Sequence, residues 1–200
     1  MDRIELYDKL KTNLEKKFLD DYNKHRKAVY GCIEKIINCL QDQDILDPIT
    51  RDMLLKRANC HDISKCENKD EYEGYIKMNR EMSGIKYGTP EYMAIKSKYD
   101  YVIQLHFNAN SHHPEYYKNG YADMLYLDKI EMICDWCGAI ISRNNTDNIE
   151  ESIKFNFKRF NIPEDEQEKI MDLVYFLFDK RTYIGSRSHI YDLIKINNRG

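Results

Sequence analysis

Glycine and proline are scarce in this chain of 200 residues, with eight and four copies, and tryptophan occurs once. A turn-rich β fold needs more of both turn-formers, so the shortage favours long helices. No run of about 18 apolar residues is present, which excludes a transmembrane helix from the pattern. The stretch Met1-Asp2-Arg3-Ile4-Glu5-Leu6-Tyr7-Asp8-Lys9 has no apolar centre and carries acids, unlike a secretory leader. A surplus of positive charge is missing as well: 31 Lys and Arg against 34 Asp and Glu give −3. That balance excludes a generally basic nucleic-acid coat and a polybasic membrane sensor. It favours a small substrate over extended nucleic acid.

What is present points to a packed protein. Mean hydropathy is low, at −0.73, but sixteen Tyr and seven Phe supply large apolar area even where a polar tip stays wet. Disorder is therefore not expected. The six cysteines (Cys32, Cys39, Cys60, Cys66, Cys134, Cys137) read as reduced thiols of a cytoplasmic protein, most of them small buried hydrophobes. Cys134-Asp135-Trp136-Cys137 matches C-x-x-C, yet no second pair stands at zinc-ribbon spacing and the motif lies inside a helical pattern.

Helical periodicity dominates, and the expectation is an all-α protein. From Tyr22 to Leu40 the residues Val29, Cys32, Ile33, Ile36, Ile37 and Leu40 follow i, i+3, i+4, i+7 spacing. Asp47-Pro48 opens a second helix that stops near His61-Asp62, with Asp47 as cap and Pro48 at the first helical position. Thr89-Pro90 repeats this signal before one helix carrying Met93, Ile95, Tyr99, Val102, Ile103 and His106. Residues 108–121 read as a loop. Helices are expected over Ala122–Ile141, Ile149–Phe160 and Glu164–Phe178, while 181–200 stay open between a strand hairpin and an amphipathic segment. The expected organisation is a helical metal-binding core over 1–144, with a helical extension over 145–200 packed on the same domain. That extension is open between capping the site, mediating a homo-oligomer and completing the core.

Several polar residues fall on apolar faces. His25 shares the stripe of Val29, Cys32, Ile36 and Leu40, and His106 that of Tyr99, Val102 and Ile103. Asp135 sits among Ile133, Cys134 and Trp136, with Asp128 and Glu131 on one side of the same helix. Taken singly, each histidine reads as a core residue bonded to a backbone carbonyl. Polar groups aimed inward from several helices must all be satisfied, and one shared metal ion satisfies them together. The adjacent pair His61-Asp62 at a helix end adds an imidazole and a carboxylate to that set.

The order His25, His61-Asp62, Asp135 resembles the H…HD…D pattern of the HD-domain metal-dependent phosphohydrolase superfamily. Asn59-Cys60-His61-Asp62-Ile63-Ser64-Lys65 is similar to its LLHDIGK segment, with Ser64 in place of the usual Gly. The resemblance spans residues 22–140. It implies an HD-like helical bundle with His25, His61, Asp62 and Asp135 as ligands of a primary ion. His112-His113-Pro114-Glu115, followed by Asn119-Gly120-Tyr121, is partly similar to the corresponding stretch of HD-GYP cyclic-dinucleotide phosphodiesterases. Pro114 intrudes there, and Ala122 stands where the GYP triplet has its proline. The whole combination also resembles uncharacterised HD-type proteins of phages and bacteria. For a second ion, the resemblance implies Asp62 as bridge and His106 with His112 or His113 as ligands.

Imidazole-rich ligation suits Mn, Fe, Co, Ni or Zn better than Mg or Ca. The implied chemistry is hydrolysis of a small nucleotide's phosphoester by a metal-bound hydroxide, on a nucleoside monophosphate or a cyclic (di)nucleotide. Lys65 is the candidate for neutralising phosphoryl charge. Glu131 is the candidate for orienting water or holding a ligand histidine. Arg26, Arg143, Arg181 and Arg187 are candidates for gripping phosphate, each also readable as a surface arginine. Tyr116, Tyr117 and Tyr121 are candidates for stacking a base, whereas Trp136 reads as a core residue and His189 as structural or exposed. Two other readings compete. One is a non-catalytic HD-like protein that sequesters a nucleotide or partner, and the other is a metal-dependent oxygenase on a similar scaffold.

Overall fold

A computed structural model describes residues 3–42, 46–86 and 88–180, with side chains from residue 13 onward. The protein is all-α, and no strand forms among the described residues. No described helix is long and apolar enough to cross a membrane. The expectations for Arg181, Arg187, His189 and the segment 181–200 lie outside the described residues.

The chain divides into two compact units: residues 1–24 with 62–110, and residues 25–61 with 111–200. Helix α1 (Arg3–Gln41) contributes its beginning to the first unit and its remainder, from His25, to the second. The chain returns to the first unit between His61 and Asp62.

The first unit adds α3 (Ser64–Glu67), α4 (Lys69–Met82), α5 (Pro90–Lys98) and α6 (Asp100–Ala109). Phe18 of α1 packs edge-on against Tyr72 of α4 at 5.5 Å. Met78, Tyr99 and Val102 form a small apolar core beside them. Gly74 lets α4 and α6 approach closely, because a Cβ there would meet a Val102 methyl at 2.3 Å. Neither α3 nor α4 is among the helices expected from the sequence. Asn68 nonetheless caps α4, its Oδ1 accepting from the amides of Asp70 and Glu71. The single helix expected after Thr89-Pro90 is two, because Tyr99 (φ −103°, ψ 18°) leaves helical geometry between α5 and α6. Its buried ring sits in the small core, and its hydroxyl donates to Glu81 at 2.7 Å.

The second unit adds α2 (Pro48–Cys60), α7 (Tyr126–Ser142), α8 (Ile149–Arg159) and α9 (Glu164–Leu177). The apolar stripe of α1 is buried throughout, at 4% exposure or less from Val29 to Leu40. Asp47 caps α2 as its position implies, accepting from Ile49 and Thr50 amides at 3.0 Å each. Gly138 brings α7 onto α1, since a Cβ would lie 2.5 Å from a Val29 methyl and 3.1 Å from its backbone nitrogen. Helix α7 starts at Tyr126 rather than Ala122, because residues 120–123 coil into a short 3₁₀ turn opened by Gly120 at φ +63°. Trp136 is a core residue, stacked on Phe160 at 5.9 Å. Ile153, Phe157, Leu173 and Val174 bring α8 and α9 into the same core. The cysteines are all free thiols. Those of Cys134 and Cys137 are buried, which pushes both thiol pKa values well up and leaves them unreactive.

Candidate metal centre

Three donor atoms converge within the second unit. His25 Nε2 on α1 and Asp135 Oδ1 on α7 lie 2.9 Å apart. His61 Nε2, from the residue that ends α2, stands 3.3 Å from His25 Nε2 and 3.6 Å from Asp135 Oδ1. Ligand bonds of about 2.0–2.2 Å to one tetrahedral or octahedral cation place neighbouring donors about 3–3.5 Å apart. The three observed separations bracket that range. The two imidazole nitrogens and the carboxylate can share a proton as a hydrogen-bonded set, and the same three donors can hold a divalent cation. Burial raises the pKa of the Asp135 carboxyl, but the imidazoles of His25 and His61 outweigh it and hold the group well below the usual carboxylate range.

The other face of His61 is also committed. Its Nδ1 donates to Glu131 Oε1 at 3.0 Å, and His112 Nδ1 stands 3.3 Å from the same oxygen. The ring centroids of His61 and His112 are 4.5 Å apart, and His113 lies against His112 at 4.2 Å. One ligand atom from each of His61, His112 and Glu131 falls within a common 4.8 Å, so this cluster too can hold an ion. A carboxylate only accepts, so each imidazole directs its Nδ1–H at Glu131 and leaves Nε2 with a lone pair. This is the carboxylate–histidine arrangement that orients metal ligands. Burial pushes the Glu131 pKa up, and hydrogen bonds from His112 and His61 reverse the shift to well below the usual range.

The first unit carries a parallel set. His106 Nε2 lies 3.3 Å from Asp62 Oδ1, and its Nδ1 donates to Glu71 Oε1 at 2.8 Å. Asp62 is held at φ +55°, a left-handed conformation that Asp tolerates better than most residues. Glu71 is fully buried and also accepts from Ser64 Oγ at 3.2 Å. Asn110 Nδ2 donates to Ser64 Oγ and to the His106 carbonyl. Lys65 Nζ sits 2.5 Å from Asp62 Oδ2 and 5.5 Å from the centre of the Tyr75 ring.

The remaining candidates are placed as follows. Arg26 donates to the carbonyl of Asn59. Arg143 is exposed at the end of α7. Tyr116 is half exposed, whereas Tyr117 turns its hydroxyl onto Asp128 Oδ2 at 2.7 Å. The Tyr117 side chain lines a cleft of about 550 Å³ together with Tyr121, Lys129, Arg159 and Phe160. Tyr121 is 4% exposed, donates to Glu166 and carries the Lys129 ammonium over its ring at 4.1 Å.

Glu71 and Arg57 are the participants that sequence reasoning missed. Asn68 three residues before Glu71 is a helix-start signal that marks α4 in retrospect. Arg57 precedes His61 by one helical turn, but nothing in that spacing indicates its carboxylate partners.

No curated protein and no solved structure matches the chain. A family model does match, over residues 14–183, and on that extent the chain belongs to DUF5662, a family of unknown function.

Proposed function

We propose that this protein is an HD-type metal-dependent phosphohydrolase that cleaves a phosphoester of a small nucleotide, a nucleoside monophosphate or a cyclic (di)nucleotide. The observation that carries the reading is the convergence of His25 Nε2, His61 Nε2 and Asp135 Oδ1 within 3.6 Å of one another. A divalent transition metal held there supplies an activated water and polarises a phosphoryl oxygen. His25, His61 and Asp135 bind that ion, and Glu131 fixes the ring of His61 through Nδ1. In the two-ion form of the reading, Asp62 and His106 supply donors for the second ion, with Glu71 orienting His106. Lys65 balances charge on Asp62 and is the residue assigned to phosphoryl charge. Arg26 and Tyr116 remain the candidates for contacts outside the metal ligands. The cleft lined by Tyr117 is the place assigned to the nucleoside.

The test is direct. Bound metal is quantified in the purified protein, and phosphate or nucleotide release is screened with Mn²⁺ over nucleoside monophosphates and cyclic mono- and dinucleotides. Stoichiometric metal, with turnover of at least one nucleotide that Asp135→Asn abolishes, is the expected result. Metal without turnover of any nucleotide sinks the hydrolase reading. Retention of an unhydrolysed nucleotide would instead favour the sequestering protein.

A further inference from the structure

Behind Glu131 lies a buried charge network that the metal ligands themselves do not explain. Arg57 Nη1 donates to Asp128 Oδ1 at 2.6 Å and to Glu131 Oε2 at 2.9 Å. The three side chains are 23%, 1% and 6% exposed. Asp128 is further saturated by the hydroxyls of Ser111, at 2.5 Å, and Tyr117. Glu131 therefore receives the guanidinium on one oxygen and two imidazole N–H groups on the other. Two carboxylates one turn apart on α7 share a single cation. Without it they repel in a poorly solvated place, and Glu131 loses the partner that fixes Oε2 while Oε1 faces the rings.

We infer that Arg57 is a positioning residue: by anchoring Glu131 it holds His61 and His112 in the Nδ1–H tautomer, so that each Nε2 carries the lone pair. The presentation of His61 to the candidate ion thereby depends on a residue outside the ligand set. The inference rests on the metal-dependent reading only for the cation, because the ring tautomers exist without one. One nitrogen makes both carboxylate contacts, so an ammonium on a slightly shorter stem can reproduce them.

The experiment uses the full chain as wild type, Arg57→Lys, Arg57→Met and the double variant Arg57→Met with Asp128→Asn. Long-range proton–nitrogen correlation of the histidine rings in metal-free protein reads the tautomers. A Co²⁺ titration followed by visible absorption reads affinity and ligand field, and circular dichroism verifies folding. Wild type and Arg57→Lys are expected to show Nδ1–H at His61 and His112. The Met variants are expected to show mixed tautomers and Co²⁺ affinity lower by about 10–100-fold, with stoichiometry unchanged. The double variant removes the unbalanced Asp128 charge, so it folds where the single variant fails. If it restores wild-type tautomers and affinity, Arg57 only neutralises Asp128 and the inference is overturned. Unchanged tautomers in folded Arg57→Met overturn it equally, as does a folded Arg57→Lys protein that behaves like Met. A wild type with Arg57-dependent tautomers and no Co²⁺ binding would leave the positioning role standing and remove the metal reading.

Discussion

The two units of this protein use the same device to different depth. Each turns a histidine Nδ1 onto a buried glutamate, Glu71 for His106 and Glu131 for His61, while Nε2 faces a second carboxylate. The second unit aims three donors at one point and supports its glutamate with a guanidinium. Among the described residues of the first unit, Asp62 faces His106, and Lys65 pairs with the other oxygen of Asp62. An ammonium on a ligand carboxylate competes with a cation for the same negative charge. The second unit should therefore hold its ion the more tightly, and the first should depend more on conditions.

The sharpest way to break that ranking is His61→Ala. It is expected to lower the affinity for the tight ion by more than about 100-fold, beyond the usual effect of an outer partner. Isothermal titration with Mn²⁺ or Co²⁺ measures it. If His106→Ala abolishes tight binding and His61→Ala does not, the ranking is reversed. Glu71→Gln comes next, with a loss of about 10–100-fold confined to the weaker ion. An equal loss at the tight ion would show that the units do not bind independently.

Stability separates the units as well. Gly138→Ala drives a methyl toward both a side chain and the backbone of Val29, whereas Gly74→Ala meets the side chain of Val102 alone, at both methyls and the Cβ. Overpacking of about 1–3 kcal/mol is expected for both by urea denaturation, with Gly138→Ala the costlier because a backbone contact cannot turn aside as a side chain can. Smallest is the loss of a helix cap. Asp47→Ala in the second unit is expected to cost about 1 kcal/mol with metal binding unchanged. Asn68→Ala in the first unit should cost as much and also weaken the second ion, because Asn68 Oδ1 accepts from the backbone amide of Glu71 and so fixes the turn that carries it. Equal metal binding in both cap variants would separate the cap from the orientation of Glu71.

Much of this was legible where physics is local. The stripe from Val29 to Leu40 is buried as its spacing implies, and Asp47-Pro48 and Thr89-Pro90 start helices by satisfying amides a few residues away. Helix α4 was harder to read, because half of KDEYEGYIKMNREM is charged and its apolar face is carried by Tyr72, Tyr75, Ile76 and two Met rather than by the aliphatic run that marks α1. The break at Tyr99 was hidden for another reason. No glycine or proline marks it, and the ring's place in the core and its bond to Glu81 accompany a backbone that periodicity alone would continue.

The sequence by itself determined an all-α protein, where several helices start, and which histidines and acids lie on apolar faces. Helical spacing and the scarcity of turn-formers are sufficient for that. Only the tertiary structure decided which atoms of those residues meet. It put Nδ1 of His61 and His112 on Glu131, set Nε2 of His61 against His25 and Asp135, and placed Arg57 behind them. It also turned Tyr121, a candidate stacking residue, into the core. The physical reason is range. Capping and amphipathic spacing act within a few residues, whereas the tautomer of a histidine is set by a carboxylate 70 positions away in the chain.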